Sequence, residues 1–256
     1  MDRPTGKPEP SPQGAGSGAV RFRPGDVVML ECPFTEVTVT AVNRYHVSVR
    51  WPWSQVDPLA ESYCWNGDMA LPTPEDQDWD RLYFRTEPMA GALKAGDHCL
   101  VGIAPTVVHV VATHHFDPPL ITGMLPRPTS YVEVLPQGED YDPELEDQTF
   151  TFDPAGGEPI RLDLIFRPYA FLEAGDVVAD CHGYAWRFDA VWDWHSLDGG
   201  RTVAPDWPLA QLNRDDRPPT SGDATSVARA TAAGSHVEEV RRWTKLTLAK
   251  PAIQQR

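Results

Sequence analysis

The sequence predicts an all-β protein made of three tandem, small barrel-like units with disordered ends. Two observations carry this prediction. A Gly-Asp pair that opens an apolar segment occurs three times, at Gly25-Asp26, Gly96-Asp97 and Gly175-Asp176, and the successive glycines are 71 and 79 residues apart. Downstream of each pair, apolar residues recur with the period of two that is typical of β-strands. The 256 residues suffice for one to three small domains.

Each Gly-Asp pair is interpreted as a turn that starts a strand. Glycine adopts a positive φ without steric cost, and aspartate bonds neighbouring backbone amides within turns. Asp26, Asp97 and Asp176 are therefore predicted to cap turns, with catalysis as the alternative. The segments upstream also match, because Arg81 to Arg85 precedes the second pair and Arg161 to Arg167 precedes the third.

The strand pattern differs between the units. In the first unit, Val37, Val39 and Ala41 alternate with threonines, and residues 47–53 continue the alternation. The second unit is apolar on both faces over residues 107–111, which favours a central, covered strand. One face of the third unit carries five apolar side chains. They are Trp186, Phe188, Ala190, Trp192 and Trp194.

The predicted units span residues 20–75, 79–136 and 148–213, and each ends in a short strand. These closing strands are residues 69–72, 131–136 and 207–212. Four or five short strands per unit resemble the small, partly open barrels of Src-homology-3-like and Tudor-like proteins. The resemblance rests on strand rhythm. Since no ligand-binding motif of either family is present, it implies a fold and not a function.

The remaining segments are predicted to connect or flank these units. Residues 1–19 and 214–234 are poor in apolar residues and are predicted to be a disordered tail and a flexible linker. Residues 137–147 form an acidic linker, and residues 149–152 and 160–166 are predicted to pair as a hairpin. Residues 235–249 are predicted to form an amphipathic helix, because Ser235 and Glu238 provide a capping box. This helix either packs on the body or docks on a partner.

Charge limits the classes of partner. The net charge is −15, but residues 1–24 carry +2 and residues 214–256 carry +3, so residues 25–213 carry about −20. A body this acidic repels phosphates, and we expect no direct contact with nucleic acid. Arginine outnumbers lysine by 18 to 4, which favours a bacterial or phage genome as the source.

The sequence also suggests a compartment. No run of about 18 apolar residues is present, so we expect no membrane span. The first residues lack the apolar region of a secretory signal. The four cysteines lie far apart and mostly in apolar runs, so we interpret them as reduced, buried thiols of a cytoplasmic protein.

No catalytic or metal-binding motif stands out. The acidic linker lacks the spacing of a calcium loop, and the histidines and cysteines lack the paired spacing of zinc sites. Cys181, His182 and His195 are the best candidate ligands, and Cys181, His182 and Asp180 could be imagined as a nucleophilic set. Neighbouring strand residues point to opposite faces, which argues against that set. We therefore predict no catalytic residue, no metal and no cofactor.

Aromatic residues are the candidate binding residues. Four cluster in the first unit and five in the third, more than barrels of this size can bury completely. The predicted binding residues are Trp51, Trp53, Tyr63, Trp65, Tyr184, Trp186, Trp192, Trp194 and Trp207. A groove built from them could hold a Pro-rich peptide, or a cationic side chain by cation–π contact. The alternative is that these rings pack in cores and between barrels.

The sequence therefore predicts a non-catalytic protein-binding or assembly module whose partner is a basic or Pro-rich protein. Two alternatives stay open. One is an inhibitor or immunity-type protein that masks a basic, nucleic-acid-binding surface with its acidic body. The other is a structural component of a phage-like assembly. A hydrolase centred on Cys181 and His182 is a more distant alternative.

Overall fold

The protein is mostly β, as its sequence predicts. The structure, a computed structural model, describes residues 22–60, 65–75, 83–136, 149–191, 193–199, 204–214 and 216–232. Within these residues it has fourteen strands and one short α-helix. None of the described helices combines the length and the apolar character that crossing a membrane requires.

The elements follow one another along the chain in this order: β1 (Val27–Val42), β2 (His46–Arg50), β3 (Gln55–Val56), β4 (Asp68–Pro72), β5 (Arg85–Glu87), β6 (His98–His115), β7 (Met124–Leu125), β8 (Ser130–Pro136), β9 (Phe150–Phe152), β10 (Arg161–Phe166), β11 (Val177–Ala179), β12 (Ala185–Ala190), β13 (Asp193–Ser196), β14 (Ala210–Asn213) and α1 (Ser221–Thr231). The predicted closing strands 69–72 and 131–136 are present as β4 and β8, and residues 207–212 contribute to β14.

Two long antiparallel strands, β1 and β6, organise the larger sheet. Val27 lies opposite His109 and Thr38 lies opposite His98, so each strand begins beside the end of the other. The sheet order is β4-β2-β1-β6-β8-β9, and β10 and β5 add to β1 and β6. The register shifts near Cys32, and a Cβ on Gly102 would lie 2.8 Å from the Cys32 carbonyl oxygen. Only glycine lets the two backbones approach this closely.

Two hydrophobic cores lie along this pair of strands, and both strands contribute to each. The first core combines the start of β1 and the end of β6 with β8, and includes Val28, Val108 and Val134. The second core combines the end of β1 and the start of β6 with β2 and β4, and includes Val39 and Val49. Three separate barrels, one per predicted unit, are therefore not what the structure shows. Strands this long run from one core into the next instead of folding back within a unit.

A separate four-stranded sheet, β13-β12-β11-β14, carries a third core with Trp186, Phe188 and Leu172. We call it the third sheet, after its core. The predicted alternation holds in β12, where Trp186, Phe188 and Ala190 are buried and Arg187 is exposed. The helix α1 packs Val227 into this core.

The helix α1 lies within residues 214–234, where the sequence predicted a flexible linker. Thr220 caps it by accepting a hydrogen bond from the Asp223 amide at 3.2 Å. Thr231 accepts a hydrogen bond from the amide of Leu209, the residue before β14, which fixes the other end of the helix beside this strand. The linker prediction was wrong here because only one valine and one threonine of the helix are buried. Two such residues hardly change the apolar content of the segment, on which the prediction rested. Three further predicted segments lie outside the described residues, namely the tail 1–19, the acidic linker 137–147 and the helix 235–249.

The predicted hairpin of residues 149–152 and 160–166 does not form in the described structure. Instead, β9 pairs with β8, and β10 pairs with β1. The loop of residues 153–160 therefore crosses from one edge of the curled sheet to the other. The two strands flank a loop with two glycines, and that pattern does not distinguish a hairpin from a crossover.

The three Gly-Asp pairs adopt one geometry, which confirms their interpretation as turns. Gly25, Gly96 and Gly175 have φ values of 92°, 91° and 92°. In each turn the aspartate side chain accepts a hydrogen bond from the amide three residues earlier, at 2.8–2.9 Å. Each glycine amide also donates to a carbonyl oxygen on a facing strand. These carbonyls belong to Val110, Val39 and Phe188.

Two of the three aspartates have a further role that the sequence analysis missed. Asp26 and Asp176 are each 1% exposed, and each accepts a two-point hydrogen bond from an arginine. Arg167 follows β10 and Arg214 follows β14, the strands that pair beside the two turns. The second turn differs. The strand beside it, β5, ends opposite Leu100 before it reaches the turn, and Asp97 is exposed. A buried carboxylate requires such a partner, whereas an exposed one does not.

We expect Gly96→Ala to lower the free energy of unfolding by about 1 kcal/mol, because alanine is strained at a positive φ. Gly91→Ala is the matched control. Neither glycine has a heavy atom within 4 Å of an added Cβ, but Gly91 lacks the positive φ. Urea unfolding of both variants measures the difference, and equal effects would contradict the proposed strain.

We expect Arg214→Gln to destabilise the third sheet by about 3 kcal/mol, because the substitution leaves the buried Asp176 carboxylate without its cation. Arg161→Gln is the control, since the Arg161 side chain is 67% exposed and its pair with Glu31 contributes less than about 1 kcal/mol. Tryptophan fluorescence during urea unfolding measures both. Similar midpoints for the two variants would show that the buried pair is dispensable.

Candidate functional site

The structure describes seven of the nine predicted aromatic residues and places them in different environments. Trp51 and Trp186 are buried at 5% and 1% exposure, and Tyr184 is exposed. Four rings are half-buried, namely Trp53, Trp65, Trp194 and Trp207. Tyr63 and Trp192 lie outside the described residues. Burial therefore separates rings that the sequence pattern placed together.

In the third unit, the half-buried tryptophans contact the core. Trp194 and Trp207 lie with their ring centroids 5.5 Å and 5.7 Å from that of Tyr169, and Trp194 lies 4.9 Å from Phe188. Trp186 is inside this core, and its Nε1 donates to the Asp180 carboxylate at 3.1 Å. Asp180 also accepts hydrogen bonds from two backbone amides of the turn at Gly183. The described rings of this unit mainly serve packing.

In the first unit, the rings gather where the first and second cores meet. The centroid of Trp51 lies 4.8 Å from that of Trp53 and 4.9 Å from that of Phe84, and both contacts are edge-to-face. Trp53 and Phe84 pack against both cores. This junction opens into a cavity of about 390 Å³. We call this cavity the aromatic pocket. Its rings are Trp51, Tyr83, Phe84, Tyr131, Phe150 and Phe152.

The loop of residues 153–160 forms one wall of the aromatic pocket. Asp153 starts a tight turn, in which its carbonyl accepts from the Gly156 amide and its Oδ1 accepts from the Ala155 amide. At Gly157 the loop touches the first unit, where an added Cβ would lie 2.5 Å from the Trp53 carbonyl oxygen. A side chain at this position would push the loop away from Trp53. The glycine therefore sets the position of the acidic residues beside it.

The loop brings two carboxylates, Asp153 and Glu158, to the aromatic pocket. Glu158 Oε1 accepts hydrogen bonds from Trp51 Nε1 at 3.3 Å and from Ser54 Oγ at 3.4 Å. An added Cβ on Gly156 would lie 2.9 Å from Glu158 Oε2 and 3.2 Å from Asp153 Cβ, so the two acidic side chains flank this glycine. Within the described ranges, neither carboxylate pairs with an arginine, lysine or histidine.

The negative charges of Asp153 and Glu158 raise the pKa values of groups around the aromatic pocket. Burial raises the pKa of Asp153, and the nearby Glu158 raises it further, against a hydrogen bond from the Ala155 amide. Burial also raises the pKa of Tyr131, with contributions from both carboxylates. The Cys32 thiol has its pKa raised to about 11 by burial and by Glu158. Glu158 thus raises the pKa of Asp153 and of two further neighbours, Tyr131 and Cys32, and no cation stands among the described residues that line the cavity.

A two-stranded sheet, β3 with β7, supports the rim of the aromatic pocket. Arg127 follows this sheet, and its Nε donates to the buried Asp57 carboxylate at 2.7 Å. That hydrogen bond holds the pKa of Asp57 below its ordinary value. Arg127 lies between two proline residues that line the pocket, but its charge is already paired with Asp57.

Metal-capable side chains meet at another place. Asp189, Asp193 and His195 lie on the β12–β13 hairpin, with their ligand atoms within 4.8 Å of one another. Arg187 donates to the Asp189 carboxylate at 2.7–2.8 Å, so a metal ion would compete with a guanidinium. The histidines that the sequence analysis named as the best candidate ligands take different partners, since His182 pairs with Asp206 while His195 pairs with Asp189 and Asp193.

The cysteines and one histidine complete the titratable groups of interest. Cys32 and Cys99 are buried free thiols as predicted, whereas Cys181 is exposed, and Cys64 lies outside the described residues. His109 lies in β6, and burial lowers its pKa to about 4.

Sequence reasoning named Trp51 of the aromatic pocket, and Trp53 that packs beside it, but missed the two carboxylates of the pocket. Asp153 and Glu158 were assigned to a hairpin loop, Phe84 to the segment before the second Gly-Asp pair, and Tyr131 to a closing strand. The one local signal was a pair of glycines between two carboxylates. Comparisons of the chain with protein-family models, with curated proteins and with solved structures give no match.

We expect His109 to make folding sensitive to acid. Its folded pKa of about 4 lies below the ordinary 6.5, so the folded state binds fewer protons than the unfolded chain. The associated stability is complete above pH 6.5 and is lost as the pH falls toward 4, by about 3 kcal/mol in total. His109→Gln should therefore lose about 3 kcal/mol less than the wild type over this range.

Urea unfolding at pH 7 and pH 4 measures this difference. His115→Gln is the control, because His115 is exposed on the same strand, and we expect it to follow the wild type. If both variants follow the wild type, His109 is not the acid-sensitive group.

Proposed function

We propose that this protein is a non-catalytic protein-binding or assembly module that holds a positively charged side chain of a partner protein in the aromatic pocket. One observation carries the proposal. Asp153 and Glu158 lie beside aromatic walls, and among the residues that the structure describes no cationic side chain lines the cavity with them. A partner's cation would supply the missing charge.

The physical terms favour such a ligand. A cation beside aromatic rings gains ~2 kcal/mol or more when it is desolvated, and a nearby carboxylate adds a charge-assisted hydrogen bond. The net charge of about −20 over residues 25–213 attracts basic partners over roughly one Debye length, about 8 Å at physiological salt. Binding of this kind weakens as salt rises.

The same observation favours a basic segment over a Pro-rich one. A proline ring would bury the two carboxylates without offering them a donor, and such burial costs free energy. A basic side chain instead satisfies the carboxylates and uses the same rings. The negative field also supports the prediction that nucleic acid is not a direct ligand, because single-strand binding grooves are positively charged.

We further infer that the three Gly-Asp segments are diverged copies of one barrel-like unit, and that the first two copies exchange strands. The turn pairings support this inference. Gly175 pairs with Phe188 of its own unit, whereas Gly25 pairs with Val110 of the second unit and Gly96 with Val39 of the first. Val39, Val110 and Phe188 lie 13, 13 and 12 residues after the aspartate of their own units.

The test of the binding function uses fluorescent Gly/Ser peptides that carry three basic residues, titrated against the 256-residue chain. We expect Glu158→Gln to weaken binding about tenfold, because the amide keeps the Oε1 acceptor but removes the charge that the cation needs. Glu36→Gln is the charge-matched control, since the Glu36 side chain is 72% exposed and does not line the cavity.

Fluorescence anisotropy at low and high salt measures both variants. Equal losses in the two variants would indicate general charge attraction and not a pocket. If no basic peptide binds the wild type, the proposed function is wrong.

A further inference from the structure

We propose that the cation held in the aromatic pocket is the guanidinium of an arginine. This inference rests on the proposed function and names the partner side chain. It follows from the number and placement of hydrogen-bond acceptors, from the shape of the aromatic walls and from the cost of removing each cation from water.

Two carboxylates, those of Asp153 and Glu158, provide the charged hydrogen-bond acceptors of the aromatic pocket. Glu158 Oε1 is already used by Trp51 and Ser54, and Asp153 Oδ1 by the Ala155 amide. In the described part of the chain, Glu158 Oε2 and Asp153 Oδ2 take part in no hydrogen bond. These two oxygens belong to side chains on either side of Gly156, and both can accept hydrogen bonds from a ligand.

A guanidinium suits two carboxylates better than an ammonium does. It presents five N–H donors in a rigid plane, so one group can donate to both carboxylates at once. It is also more weakly hydrated than an ammonium, so it enters a cavity with apolar walls at lower cost. A trimethylated ammonium has no N–H donor and would leave both carboxylates unsatisfied.

The walls of the pocket support the same choice. The planar guanidinium stacks flat on aromatic rings, and Trp51, Phe84 and Tyr131 line the cavity together with the two carboxylates. The volume of about 390 Å³ lies near the lower end of the ~300–1,000 Å³ range of small-ligand sites. It therefore fits an extended side chain of a partner and not a folded segment.

The test compares five fluorescent peptides that differ only at one central residue, namely arginine, citrulline, lysine, trimethyllysine or proline. Citrulline has nearly the shape of arginine without its charge. We expect the arginine peptide to bind at least tenfold more tightly than the lysine peptide, and the other three to bind more weakly still. Anisotropy titrations of the 256-residue chain measure the affinities.

Two variants tie the preference to the pocket. Asp153→Asn and Glu158→Gln should each reduce the ratio of arginine to lysine affinity about fivefold, because each removes one charged acceptor from the two-carboxylate arrangement. Glu36→Gln should leave the ratio unchanged, and circular dichroism confirms that all three variants are folded.

The outcomes separate the two proposals. Equal affinity for arginine and lysine, with both lost in Glu158→Gln, would overturn the arginine inference and leave the proposed function standing. Preference for trimethyllysine or proline would also overturn it. If no peptide binds, both proposals are wrong.

Discussion

The antiparallel pairing of β1 with β6 is the constraint on which the rest of the larger sheet depends. The two strands run past each other over most of their length, from Val27 opposite His109 to Thr38 opposite His98. Each therefore supplies one half to the first core and the other half to the second. Neither core can form without both strands, and the aromatic pocket lies where the cores meet.

The protein handles buried charge in two ways, and the contrast distinguishes structure from function. Asp26 and Asp176 are fully buried and hold arginines of the same chain in two-point hydrogen bonds. Asp153 and Glu158 are half-buried beside aromatic rings and lack such a partner among the described residues. Burying charge without a counter-charge costs stability, and folds retain that cost mainly at sites that bind or react. The second pair of carboxylates is therefore the better place to look for a ligand.

The local features of the fold could be predicted because they depend on neighbours in sequence. The turns at Gly25, Gly96 and Gly175 follow from glycine's access to positive φ, and the burial of alternate residues in β12 follows from the strand period. The helix α1 was missed because only two of its residues, Val227 and Thr231, are buried. The prediction that residues 149–152 pair with residues 160–166 was wrong, because the residue pattern of a strand does not specify which other strand it pairs with.

The sequence by itself determined the all-β class, the three turns, the faces of the strands and the acidic character of the body, since each follows from local geometry or composition. The tertiary structure alone decided which strands pair, and hence that β1 and β6, which lie in the first two predicted units, contribute to the same two cores. It also decided what each buried ring contacts, because Trp186 donates to Asp180 within the third core, whereas Trp51 of the second core donates to Glu158, 107 residues away in the chain. Contacts over such separations depend on the path of the whole chain, and no local pattern encodes that path.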